Sequence, residues 1–121
     1  MEANAHPEAP NAIDQRSKIA LLNDQLRATG VGGKTVITRG VINLGNDTLL
    51  GIIKAMREYA TWDEDNDPHG EHDFGILTLA NSKKVYFKID YYDAQMEFGS
   101  EDPADTKKTT RVLTLMLAEE Y

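Results

Sequence analysis

Val85, Phe87, Ile89 and Tyr91 alternate with Tyr86, Lys88, Asp90 and Tyr92 without a break. Successive side chains on a β-strand point to opposite faces. This register therefore sets one face into a core and leaves lysine, aspartate and two tyrosines on the other. A slip by one residue would exchange the faces, so the rest of the chain must fold around this strand. Asn81-Ser82 reads as a tight hairpin turn before it, and Phe74 to Ala80 as its partner strand.

Upstream, Ile19, Leu22 and Leu26 fall at helical spacing, backed by Ala20 and Leu21. Asn11 is a suitable N-cap with Asp14 three residues on, and Gly30, Gly32 and Gly33 end the helix, placing it at about residues 12–28. Lys34 to Thr38 is β-branched and reads as a strand, which Arg39-Gly40 breaks and Val41 to Leu44 extends. A second helix follows the Gly45-Asn46-Asp47 turn, with Leu49, Ile52, Ile53, Met56 and Tyr59 as its apolar stripe.

Met96-Glu97-Phe98 is expected to form a short further strand. Val112, Leu115, Met116 and Glu119 favour a helix for the tail, although Lys107, Lys108 and Arg111 sit unfavourably in its first turn. The expected order is α-β-α-β-β-β-α. This describes an α+β fold with a small antiparallel sheet of three to four strands packed against helices. Residues 1–11, with two prolines and little apolar content, read as a disordered leader, and residues 12–121 as a single domain.

Several function classes are excluded by composition. The 121 residues include no cysteine, which removes disulfides, thiolate catalysis and cysteine-based zinc sites. No apolar run approaches the roughly 20 residues of a membrane span, and the N-terminus lacks the basic start and apolar middle of a signal peptide. A cytoplasmic monomer or small homo-oligomer is the plain reading.

Charge is unevenly distributed. The chain carries a net charge of -7, yet residues 61–105 hold three lysines against twelve acids, a net -9. Such a field repels nucleic-acid backbone and attracts cations or a basic protein surface. The expected partner is therefore a basic protein, with no direct nucleic-acid or membrane contact. The plainer alternative is a solvated acidic loop without a partner.

The densest part of this region runs from Asp63 to Asp73 and contains six carboxylates and two histidines, with no lysine or arginine. Asp63, Asp65 and Asp67 match the opening of a calcium-binding loop. That loop needs glycine at its sixth position and glutamate at its twelfth, where this chain has Pro68 and Phe74. His69, Glu71, His72 and Asp73 are candidate ligands if a metal is bound, but Pro68 and Gly70 oppose a regular helix presenting both rings on one face. No metal or other cofactor is expected. Alternatively, Asp65, Asn66 and Asp67 build a turn and His72 braces the start of the Phe74 strand.

An enzymatic reading needs the acidic loop to fold over the polar face of the long strand. His72, Asp73, Lys88 and Asp90 are then the catalytic candidates, with Glu71 beside them and His72 as the acid-base group. In that reading Arg111 neutralises Asp102 or Glu101. The alternative is a cross-strand salt bridge of Lys88 and Asp90 on a solvated face. As a binding surface, the candidates are Asp63, Glu64, Asp65, Asp67, Glu71, Asp93, Glu97, Glu101 and Asp102.

Four blocks carry a resemblance: Asn66 to Gly75, Lys88 to Asp93, Gly99 to Asp105, and Thr110 to Leu117. In order and spacing, from about Asn23 to Tyr121, they resemble an uncharacterised bacterial family catalogued as a domain of unknown function and common on plasmids and integrated mobile elements. The resemblance implies no catalytic residue. It implies a setting, an accessory protein of a mobile genetic element, in which small acidic proteins often inhibit host defence as antirestriction or anti-CRISPR proteins. Together with the charge, this leads to the expectation of a non-enzymatic protein that binds a basic, nucleic-acid-binding partner, with a metal-assisted hydrolase as the alternative.

Overall fold

A computed structural model describes residues 12–121, with side chains from Gln15 onward. The expected leader and the Asn11 cap lie outside the described residues. The elements are α1 (Ala12–Thr29), β1 (Lys34–Ile37), α2 (Arg39–Ile42), α3 (Asn46–Arg57), β2 (Phe74–Thr78), β3 (Lys84–Tyr92) and β4 (Thr110–Leu117), closed by a 3-10 turn at Ala118–Glu120. The fold is α+β, with three helices and a four-stranded sheet in the order β1-β4-β3-β2. No described helix is long and apolar enough to cross a membrane.

β3 follows its alternation. Val85, Phe87 and Ile89 are buried, and the intervening residues are partly exposed. The buried set meets Leu26 of α1, Val41 of α2, and Ile52 and Met56 of α3, so all three helices lie on one face of the sheet. Gly75 of β2 pairs with Phe87, and a Cβ there would come within 2.3 Å of the Phe87 ring. Only glycine lets that ring lie flat against the strand. At the end of α1, Gly30 takes a φ of +79° and returns its N–H to the Leu26 carbonyl, as a helix C-terminus requires.

The structure differs from the sequence expectation at four places. The tail is a strand rather than a helix: β4 pairs with β3 on one side and β1 on the other. As an interior strand it is buried on both faces, so Val112 and Met116 are covered along with Leu113, Leu115 and Leu117. Burial on both sides erases period-two alternation and lets the apolar residues mimic helical spacing. β1 runs parallel to β4, so the sheet is mixed rather than wholly antiparallel.

Val41 to Leu44 does not extend β1. The Thr38 side chain accepts from the Val41 N–H and starts the short helix α2 instead. Met96 to Phe98 is not a strand. Met96 has a φ of +62°, Asp93 accepts from the Glu97 N–H, and only an isolated bridge joins Tyr92 to Gly99.

The topology also sets where the loops emerge. Phe74, at the start of β2, pairs with Lys88, and Thr110, at the start of β4, pairs with Tyr92 near the end of β3. The loops 58–73 and 93–109 therefore leave the same end of the sheet.

Candidate functional site

The first acidic loop is built from side chains that bond its own backbone. The Asp67 N–H donates to the Asp63 carbonyl, and Asp63 Oδ1 accepts from the N–H groups of Asp65 and Asn66. Asn66 Nδ2 donates to the Tyr59 hydroxyl at 2.8 Å and to the Thr61 carbonyl at 2.9 Å. Asp67 is buried, and its Oδ1 accepts from the N–H groups of Glu71 and His72. Asp63 and Asp67 thus act as turn formers, which leaves Glu64 and Asp65 as fully presented charges.

Helix α1 fastens the far side of this loop. His72 Nδ1 lies 3.0 Å from Asp24 Oδ1, and its Nε2 lies 3.7 Å from Asp67 Oδ2. The imidazole stacks on Trp62 at 4.3 Å with the planes 4° apart, and Arg27 lies over Trp62, 5.0 Å from the ring centroid. Arg27 also binds Asp24 at 2.7 Å and donates to the Met56 carbonyl. His72 has a φ of +57°, a backbone state uncommon outside glycine, asparagine and aspartate, and these contacts on both sides of its ring hold it there.

Glu71 enters a second, buried network. Asn23 donates to the Glu71 carbonyl and to the Tyr91 hydroxyl, and Tyr91 donates to the Glu71 carboxylate at 2.8 Å. Arg111 Nε donates to Asn23 Oδ1 at 2.8 Å, its guanidinium covers the Tyr91 ring, and it also bonds the Pro103 carbonyl. Arg111 therefore does not neutralise Glu101 or Asp102. It faces the helices from β4 and ties both acidic loops to α1. Burial pulls the Arg111 guanidinium below its ordinary pKa and pushes the Tyr91 phenol well above the usual range.

The remaining candidates lie on the sheet face without helices. Lys88 and Asp90 are paired at 3.0 Å along β3 itself, not across strands, and that bond raises the Lys88 pKa. The acidic loop does fold toward them. Together with Asp73, Phe74, His69 and Tyr121 they line a groove of about 240 Å³. Asp73 is pushed above the usual carboxylate range, first by burial and then by the neighbouring Glu71 charge.

Of the four catalytic candidates the fold thus brings together Asp73, Lys88 and Asp90, while His72 points to Asp24 and Trp62, leaving His69 as the imidazole in the groove. Of the metal candidates, Glu71 and His72 are turned into separate hydrogen-bond networks. Among the described residues no three His, Asp or Glu side chains converge to hold a metal ion.

In the second acidic loop, Asp93 accepts from the Glu97 N–H and Asp102 from the Ala104 N–H, while Glu97 and Glu101 are exposed. Among the described residues, no lysine or arginine pairs with Asp63, Glu64, Asp65, Glu97, Glu101 or Asp102. The anchoring residues Asn23, Asp24, Arg27 and Trp62 escaped the sequence reading as site-forming groups, and Arg111 was read with other partners. One signal was present: Asn23-Asp24 interrupts the apolar run of α1, where a polar residue needs a buried partner.

A family model described as "Protein of unknown function (DUF3768)" matches residues 37–120, from the end of β1 through the 3-10 turn. The chain belongs to that family. Both acidic loops, Arg111 and the groove apart from Tyr121 fall within the DUF3768 match, whereas α1, which supplies Asn23, Asp24 and Arg27, precedes it. Neither the curated proteins nor the solved structures gave a match.

Proposed function

We propose that this DUF3768 protein is a cytoplasmic accessory protein of a mobile genetic element, and that it docks a basic, nucleic-acid-binding bacterial protein through the acidic end of its sheet. The observation that carries this reading is the construction of the 58–73 loop. Glu64 and Asp65 are exposed on a turn whose own backbone is fixed by Asp63, Asn66 and Asp67 and pinned by His72 to α1.

A charge-bearing loop held in one conformation loses little conformational entropy on binding. Glu97 and Glu101 extend the negative surface at the same end of the sheet. Charge of this kind speeds and orients encounter with a basic patch and disfavours nucleic acid itself. In the setting that the family resemblance implies, the fitting role is inhibition of host defence, of the antirestriction or anti-CRISPR type.

The test is affinity capture from a bacterial lysate with the native chain and with a double variant, Glu64→Lys and Asp65→Lys, which spares the turn-forming Asp63. Capture of a basic protein that is lost on charge reversal supports the reading. Capture that is unchanged by the reversal overturns it.

A further inference from the structure

The groove on the open sheet face has a composition that points to a particular occupant. Two aromatic residues, Phe74 and Tyr121, and two carboxylates, Asp73 and Asp90, are among the residues that line it. It already holds one cation: the Lys88 ammonium lies 3.0 Å from Asp90 and 5.8 Å from the centroid of the Tyr121 ring. Asp73 has no such partner among the described residues, although it is partly buried and burial disfavours its charge. Glu71 and Asp67 add to the negative field around it. At about 240 Å³ the groove is smaller than the ~300–1,000 Å³ typical of sites for cofactor-sized ligands, and it suits a single side chain.

We infer that the groove receives an arginine side chain of the basic partner, with its guanidinium on the Asp73 carboxylate and against the Tyr121 ring. This rests on the docking reading above and names its contact. Arginine fits better than lysine because its planar fork can meet a carboxylate with two parallel bonds while its face stacks on an aromatic ring. Asp90 is occupied by Lys88, so the incoming charge is directed to Asp73. The other histidine of the acidic stretch, His69, borders the groove rather than the α1 anchor, so a guanidinium on Asp73 leaves the His72–Asp24 fastening in place.

The probe is an end-capped Gly-Ser-Arg-Ser-Gly peptide, titrated into the full chain and followed by backbone amide shifts. Its lysine and citrulline counterparts are titrated in parallel. The arginine peptide is expected to shift Asp73, Phe74, Asp90 and Tyr121, the lysine peptide to bind several-fold more weakly, and the citrulline peptide to leave the spectrum unchanged.

Asp73→Asn and Tyr121→Ala are each expected to weaken the arginine peptide by about fivefold or more, since each removes one of two contacts to the cation. Tyr121 is exposed, and Asp73→Asn removes a charge that burial disfavours, so both variants are expected to retain the fold. Equal binding of arginine and lysine or citrulline peptides, or binding indifferent to both variants, overturns the inference. Partner capture that survives both variants but is lost on reversal of Glu64 and Asp65 removes the arginine groove and leaves the docking reading standing.

Discussion

His72 and Asp24, separated by 48 positions in the chain, meet with Nδ1 3.0 Å from Oδ1, and this contact fastens the acidic loop to the first helix. The His72 ring also stacks on Trp62 and turns its other nitrogen toward Asp67, while Arg27 lies over Trp62, so the contact is one part of a braced unit. Replacing His72 with alanine removes the stacking and the bond while retaining the unfavourable positive φ. We expect a loss of about 2 kcal/mol, in the range for losing a partly buried bond together with a packed ring. Urea unfolding of the variant measures it, and an unchanged midpoint contradicts the bracing role.

The Asn23–Arg111 pair predicts a coupled pair of mutants. Asn23→Ala leaves the Arg111 Nε, the Tyr91 hydroxyl and the Glu71 carbonyl short of a partner in a buried setting. A cost of about 2–4 kcal/mol is expected, because several polar groups lose satisfaction at once. Since Arg111→Met removes the same bond, the double mutant should cost less than the sum of the singles, by about 1 kcal/mol or more. Denaturant titration of the four proteins of the cycle checks this.

Gly75→Ala is expected to be severe. The added Cβ would meet the Phe87 ring at 2.3 Å and Tyr59 at 2.9 Å, and both rings belong to the packed interior. Overpacking of this kind costs about 1–3 kcal/mol, with more expected where a ring has no space to retreat. Thermal melting measures it directly.

Asp73 gives a pH dependence. Its folded pKa lies above the ordinary value of 3.8, so its stability contribution is fully present below that value and is lost as pH rises through the raised folded pKa. The neutral variant Asp73→Asn escapes this loss. It should be more stable than the native chain at neutral pH, and the advantage should shrink to nothing as pH falls below 3.8. Paired melting curves across pH test the sign.

How legible the sequence was depended on how each segment is buried. β3 and α3 each bury one face, so their periodicities were readable in Val85 to Tyr92 and Leu49 to Tyr59. β4 buries both faces, so its pattern carried no period and resembled a helix. Its parallel pairing with β1 joins residues such as Lys34 and Val112 far apart in the chain, and no local signal encodes that contact.

The same holds for the site. That Lys88 and Asp90 share one face of β3 was legible, but they pair along the strand and not across strands as expected. The acidic turn is held by Asp63 and Asp67 and not by Asp65. Which histidine would enter the groove was not legible. It depended on Asp24 and Trp62 capturing His72, and those partners come from distant segments.

The central claim is that the acidic end of the sheet engages a basic partner, and the direct measurement is the dissociation constant of the captured partner from low to high salt. Because exposed charges are screened within about 8 Å at physiological ionic strength, binding should weaken steeply as salt rises. The Glu64→Lys, Asp65→Lys variant should bind about tenfold or more weakly at low salt and lose most of the salt dependence. A dissociation constant that is independent of salt, and the same for the native chain and the variant, would contradict it.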